Sequence, residues 1–487
     1  MSAQRTAPPT VPFTSMRQLV GPLLAIIVGI FMVILDSTAV NVAVPKLVDD
    51  FHSKLETVQW TITGYALAQA AVIPLAGWMT DRFGSKQIFI VSLVLFTIGS
   101  VLCATATTVD QLIFYRVLQG LGGGMVSPIA FAMTYRLSPP EKAGSIMGLM
   151  GLPILLAPAL GPIIAGYLVD YVEWQWIFLI NIPVGILGVI LCALLLPSLP
   201  KKSHTSLDML GILIGPLAFA GLSYGLSEGS TSWTSDKTII GLVVGVVALA
   251  AFIVIELSRK QEPLLELRVF RSSLFTRGIL VQWVLQFVMF GIIFSVPFFM
   301  QKLMGMSAFK AGMWTLPQAI AAGVFMPIGG RLYDRIGARP LVLAGLTIVG
   351  VGAFLIARID PTESPWQFLV PRAMLGMGMG LSFLGLNTHL IQSAPSNLVS
   401  RVTSLTSAAQ QIMTSFSVAG LTTIIANRTA HYAADGRAMP DAMTHAFHDA
   451  YYVLVGLAVF GLLCAATLKR PKTDAANPPV SHAVDMG

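Results

Sequence analysis

Stretches of about twenty apolar residues recur from one end of this chain to the other, and nothing else constrains its fold as strongly. They run near 19–44, 58–79, 88–106, 112–135, 143–169, 176–196, 207–226, 238–257, 278–300, 311–330, 341–357, 366–390, 402–426 and 451–468. A helix crossing the hydrocarbon core of a bilayer needs about 20 such residues, so the pattern predicts about fourteen transmembrane helices. Barrel strands are excluded, because the runs are too long and do not alternate. Only 11% of the 487 residues are charged and 55% are hydrophobic, whereas a soluble domain carries roughly a quarter charged residues. The expected fold class is therefore an all-α integral membrane protein.

Basic residues give the orientation. With the N-terminus inside, twenty Lys and Arg fall on the cytoplasmic side and eight on the outer side. An even number of spans then leaves both termini in the cytoplasm of a cell-membrane protein. The net charge of +7 follows from this bias, so no nucleic-acid partner is expected. The polar N-terminal stretch lacks the apolar core of a signal peptide and is expected to be retained.

Two markers repeat. Gly77-Trp-Met-Thr-Asp81-Arg82-Phe-Gly84 returns as Gly330-Arg-Leu-Tyr-Asp334-Arg335-Ile-Gly337 at an offset of 253, and Arg116 returns as Arg372 at an offset of 256. Nearly equal offsets argue for two six-helix halves, a common plan for transporters. The expected layout is a tail over 1–18, a first half over 19–200, two inserted helices over 201–260, a second half over 261–470 and a tail over 471–487.

Other signals are weak. Cys103, Cys192 and Cys464 sit inside apolar runs and build no disulfide framework or zinc spacing. Gly120-Leu-Gly122-Gly-Gly and Gly376-Met-Gly378-Met-Gly380 do not join a strand to a helix, so no phosphate cradle is expected. His431, His445 and His448 lack metal-ligand spacing, and no metal site is expected. Asp36 stands out as an ionisable group within an apolar span, a kind of residue that is rare, costly and usually functional.

Polar residues at helical spacing mark faces that avoid lipid. Thr61, Tyr65 and Gln69 form one stripe; Gln282 and Gln286, with Met289 and Phe290 beyond, form a second; Thr403, Ser407 and Gln411 form a third. These faces line a cavity or bond helix to helix. The expected cavity set is Asn41, Trp60, Tyr65, Gln69, Gln282, Gln286, Met289, Phe290, Arg372, Ser407 and Gln411.

Leu35-Asp36-Ser-Thr-Ala-Val-Asn41-Val-Ala-Val-Pro45 resembles the first-helix motif of the fourteen-helix drug:proton antiporters of the major facilitator superfamily. Asp81-Arg82-Phe-Gly84-Ser-Lys86 looks like the superfamily's loop signature between its second and third helices. Arg116-Val-Leu-Gln119-Gly120 is similar to its fourth-helix motif, and Gly161-Pro162-Ile-Ile-Ala165-Gly166 to the fifth-helix antiporter motif. Ser85 departs from the usual basic residue, and Ala157 and Ala165 stand where the antiporter motif has Gly.

The resemblance implies a proton-coupled exporter of small hydrophobic, neutral or monocationic drug-like compounds, with no cofactor and the proton gradient as energy source. It further implies proton coupling by Asp36, and gating by Gly77, Asp81, Arg82, Gly84, Lys86, Gly161, Pro162, Gly166, Asp334, Arg335 and Gly337. Depth along the helices puts Asp36 about 13 Å and Arg116 about 8 Å below one surface, at 1.5 Å per residue, within reach of each other. Arg116 is expected to be the positive partner of Asp36, while Met289 occupies the position equivalent to Asp36 in the second half. A periplasmic adaptor is left open. Competing readings are a metabolite or lipid-like substrate transporter of the same superfamily and, more distantly, a membrane receptor or enzyme.

Overall fold

A computed structural model describes residues 16–199, 209–229, 232–258, 264–362, 364–394 and 398–469. The expected tails, except for the start of the first helix, lie outside the described residues. Among those residues every regular element is helical, with no strand.

The first set comprises α1 (Met16–Asp50), α2 (Leu55–Phe83), α3 (Ser85–Ala104), α4 (Val109–Leu137), α5 (Ala143–Leu149), α6 (Gly151–Tyr171), α7 (Trp176–Leu179) and α8 (Asn181–Leu195). Then come α9 (Met209–Gly229) and α10 (Asp236–Ser258). The second set is α11 (Ser273–Lys302), α12 (Ala308–Met313), α13 (Leu316–Ile336), α14 (Ala338–Ile356), α15 (Leu369–Gln392), α16 (Val399–Ala434) and α17 (Met439–Ala466).

Twelve helical segments among the described residues are long and apolar enough to cross a membrane. Large apolar side chains stay exposed on their outer faces, including Leu187 and Leu194 on α8 and Val243, Val247 and Val254 on α10. Such a belt would be an aggregation hazard in water and suits lipid. The chain is a multi-pass membrane protein.

Two of the fourteen expected spans do not meet this length and hydropathy standard. The run over 143–169 breaks at Met150 into α5 and α6, leaving Leu156–Val169 as a shorter apolar stretch. The run over 402–426 forms part of α16, a 36-residue helix that buries Ser400, Thr403, Ser404, Thr406 and Ser407. Those hydroxyls lower its hydropathy; most bond a carbonyl one turn back, as Ser404 does to Ser400 at 3.0 Å. A helix in contact with α2, α11 and α17 meets its polar needs inside the bundle.

Glycine sets the closest helix contacts. A Cβ on Gly120 would lie 2.6 Å from the Tyr65 carbonyl oxygen and one on Gly124 would lie 2.7 Å from Gln69 Cα, both on α2. On the other side of α4, a Cβ on Gly122 would lie 2.6 Å from the Phe96 backbone nitrogen of α3. Gly376 and Gly380 press α15 against α13 in the same way, and Gly378 presses it against Gly345 of α14. The glycine strings that resemble phosphate loops are thus packing surfaces, repeated at the offset of Arg116 and Arg372.

The inserted helices use the same device. Gly221 and Gly225 of α9 interlock with Gly245 and Gly241 of α10. α9 lies against both α2 and α16. Its Tyr224 stacks on Trp60 of α2 at 5.8 Å, and beyond its end the Trp233 indole N–H donates to the Thr423 hydroxyl of α16.

Replacing Gly122 with Val should destabilise the protein by about 1–3 kcal/mol, because backbone of α3 blocks the added atoms. Gly456→Ala, which adds a Cβ to open space on α17, should leave stability unchanged or slightly raised. Thermal unfolding in detergent reads both, and equal melting for the two variants would contradict the packing argument.

Candidate functional site

Asp36 is buried at the centre of a polar cluster supplied by five helices. Arg116 and Gln119 stand three residues apart on α4 and so share a face. Arg116 Nη1 donates to Asp36 Oδ2 at 2.6 Å and to Gln119 Oε1 at 2.6 Å, while Nε donates to the Thr61 carbonyl of α2 at 3.1 Å. Asp36 Oδ1 accepts from Gln119 Nε2 at 3.1 Å and from Asn181 Nδ2, at the start of α8, at 2.8 Å. Ser100 of α3 accepts from both amides. The Tyr65 ring lies under the guanidinium at 3.9 Å.

Both ions are 1% exposed. A buried pair is tolerable only when further hydrogen bonds complete it, and removing one partner typically costs about 3–5 kcal/mol. The structure thus joins Asp36 to Arg116, as their depths suggest, and adds Gln119, Asn181 and Ser100. A void of about 10 Å³ adjoins Asp36, walled by Ala165, Leu168 and Ile177 among others.

A separate cavity of about 350 Å³ lies between the two sets of helices. Gln69, Gln286, Phe290, Arg372, Ser407 and Gln411 line it, as expected. Its wall also carries Ser37, Thr38, Gln318, Gln410 and Thr414, amid apolar groups such as Phe131, Ile154, Met379 and Phe383. Gln286 Nε2 donates to Thr414 at 3.0 Å.

Five expected cavity residues are elsewhere. Tyr65 serves the Asp36 cluster, and Trp60 stacks on α9. Asn41 is exposed and donates to the Ser37 carbonyl at 3.3 Å. Met289 and Gln282 are buried between helices. Their stripe reaches the wall through Gln286 and Phe290, but neither of these two lines the opening. Asp36 itself is absent from the wall; its neighbours Ser37 and Thr38 on α1 face the cavity instead.

At one end of the bundle the repeated loops fasten the two sets together. Gly84 and Gly337 take φ of 98° and 80°, allowing α2 and α13 to turn directly into α3 and α14. Asp81 meets Arg401 Nε of α16 at 3.3 Å and Arg136 Nη2 of α4 at 3.5 Å. Gly77 lets α2 approach the Ser400–Arg401 backbone.

Asp334 caps α5: its Oδ1 accepts from the Gly144 N–H at 2.8 Å, and its Oδ2 from the Ser145 N–H and hydroxyl at 3.0 and 2.5 Å. A carboxylate at a helix N-terminus satisfies free donors and the helix dipole. Arg82 and Arg335 are exposed, and Lys86 donates to the Ala193 carbonyl at 2.7 Å. Gly161 abuts Thr38 of α1 and Gly166 faces Phe309, while the side chain of Pro162 lies outside the described residues.

A helical bundle with a central cavity between two sets of helices, fastened together at one end by carboxylate contacts, is the architecture of a membrane transporter. The Major Facilitator Superfamily model matches residues 26–418, and the chain belongs to that superfamily. It is 34% identical over 404 residues to a "Multidrug resistance protein B homolog" of Mycobacterium tuberculosis, covering 81% of this chain and 74% of that one. It is 29% identical over 483 residues to "Lincomycin resistance protein LmrB" of Bacillus subtilis, covering 97% and 100%. Among solved structures, the proton:xylose symporter XylE shares the fold at a TM-score of 0.66 and 15% identity, over 93% of this chain and 96% of that one.

Removing the Asp334 carboxylate as Asp334→Ala deletes three hydrogen bonds at the α5 N-terminus. Amide exchange at Gly144 and Ser145 should rise about tenfold or more, at about 1 kcal/mol for each bond lost. Mass-spectrometric hydrogen exchange on peptides over 140–150 measures this, and unchanged exchange would exclude the cap.

Proposed function

We propose that this transporter is a proton-coupled secondary exporter of small hydrophobic, drug-like compounds, with no cofactor. The observation that carries this reading is the buried Asp36 carboxylate, bonded to Arg116 and set one residue from the cavity-lining Ser37. Loading a proton on Asp36 weakens its pull on Arg116 and alters the seating of α1. The same helix presents Ser37 and Thr38 to the substrate space, so proton and substrate communicate through α1. Names of relatives that refer to multidrug and lincomycin resistance support export of drugs.

The mainly apolar wall suits hydrophobic neutral compounds. A monocation finds no carboxylate there, since Asp36 is turned towards α4, and direct competition between cation and proton for Asp36 has no geometric support. Under this reading all fourteen expected spans cross the membrane, with α9 and α10 outside a twelve-helix core. The duplicated contacts of Asp81 and Asp334 hold the cytoplasmic side closed, and both termini are cytoplasmic.

In proteoliposomes with an imposed pH gradient, the wild-type protein should move chloramphenicol, an uncharged compound, against its concentration gradient. Asp36→Asn should abolish gradient-driven movement while equilibrium binding persists, and Asp36→Glu should retain part of it. Full gradient-driven transport by Asp36→Asn would overturn the coupling role. Reporter fusions after Lys201 and after Arg268 should both report the cytoplasm; an outward signal at either would break the topology.

A further inference from the structure

The central cavity contains an uncompensated charge. Arg372 of α15 is 1% exposed and lies on the cavity wall, and its Nε and Nη1 have no hydrogen-bond partner. Arg116, its counterpart in the first set, is neutralised by Asp36. In the second set the position equivalent to Asp36 is Met289, which can accept no ion pair. Among the described wall residues Arg372 is the only one with a formal charge, and none is acidic.

A guanidinium remains protonated in any protein setting, so this site cannot relieve its cost by losing the charge. Holding it without a counter-ion is among the most costly arrangements a protein interior can contain. Further polar atoms on the same wall are also unmatched: Oε1 of Gln286, Oε1 of Gln318 and Nε2 of Gln410 have no partner. The remaining wall is largely apolar, with Phe290 and Phe383 among its aromatic groups. The cavity therefore combines one strong anion-binding group, a few amide groups and an apolar surround in about 350 Å³.

We infer that the cavity takes amphiphilic organic acids, with the substrate's carboxylate docked on Arg372 and its apolar body against the phenylalanines. This rests on the reading of the cavity as the substrate site, and within hydrophobic drug-like compounds it shifts the favoured class from neutral molecules to acids, a direction the sequence does not suggest. A guanidinium has a planar donor fork that matches a carboxylate, and docking there requires the side chains that cover Nε and Nη1 to shift. The substrate supplies the counter-ion that Met289 does not, so an acid binds with a larger electrostatic gain than its neutral analogue.

The test uses three matched fluorescent probes with the purified full-length protein at pH 7: dansyl-glycine, its methyl ester and dansyl-cadaverine. Wild-type protein should bind the acid about tenfold or more tightly than the ester, the scale of one charge-assisted hydrogen bond, and the amine most weakly. Arg372→Gln should reduce the acid to the affinity of the ester without weakening the ester itself, and Arg372→Lys should keep part of the preference.

Equal binding of acid and ester by the wild-type protein overturns the inference without needing any variant to fold. So does failure of the acid to bind, or an acid preference that survives in Arg372→Gln. Acid-selective binding in a protein that shows no pH-gradient-driven transport would support the inference and sink the antiporter reading instead.

Discussion

The absence of water from the bilayer core governs this structure. A polar group placed there must find its partner within the protein, and each partner then fixes where another helix can lie. Asp36 illustrates the cascade. Its two oxygens draw in Arg116, Gln119 and Asn181; those residues draw in Ser100 and the carbonyl of Thr61. One carboxylate thereby aligns α1, α2, α3, α4 and α8. The second set has no such cluster at the matching place, where Met289 packs among apolar neighbours and Arg372 is left facing the cavity.

Association without a hydrophobic driving force depends on close backbone approach, and here small residues supply it. The triplets Gly120, Gly122, Gly124 and Gly376, Gly378, Gly380 wedge α4 and α15 between their neighbours with the same spacing. Each triplet lies on the helix that carries the buried arginine. The shared framework and the divergent polar contents are thus separable: glycine fixes where the helices pass, and the choice of Asp or Met decides whether the charge is neutralised.

Much of this was legible in the chain because hydropathy and repetition are local signals. Helices follow from apolar runs, and the Asp36–Arg116 contact follows from depth along two spans. The cavity wall was only partly legible. A stripe at i, i+4 shows that one face avoids lipid, but it does not say whether that face meets an opening or another helix. Tyr65 turned to Arg116, Trp60 to Tyr224 and Gln282 to the interior, while Gln69 and Gln286 on the same stripes reached the cavity. Gln318 has no polar residue four positions away to mark it, and Gln410, flanked at that spacing by Thr406 and Thr414, lies beside the stripe of Thr403, Ser407 and Gln411 that drew the reading. The apolar run over 402–426 marked α16 but not its full length of 36 residues, and around Met150 glycine and proline hid a break.

The inserted pair gives the bundle a side. Among the described residues α9 bridges α2 and α16, one from each set, whereas the other seam, where α13 meets α5 and α6, has no such cover. Separating α2 from α16 along that edge therefore means breaking the contacts of α9 with one of them, a cost that the opposite seam does not carry.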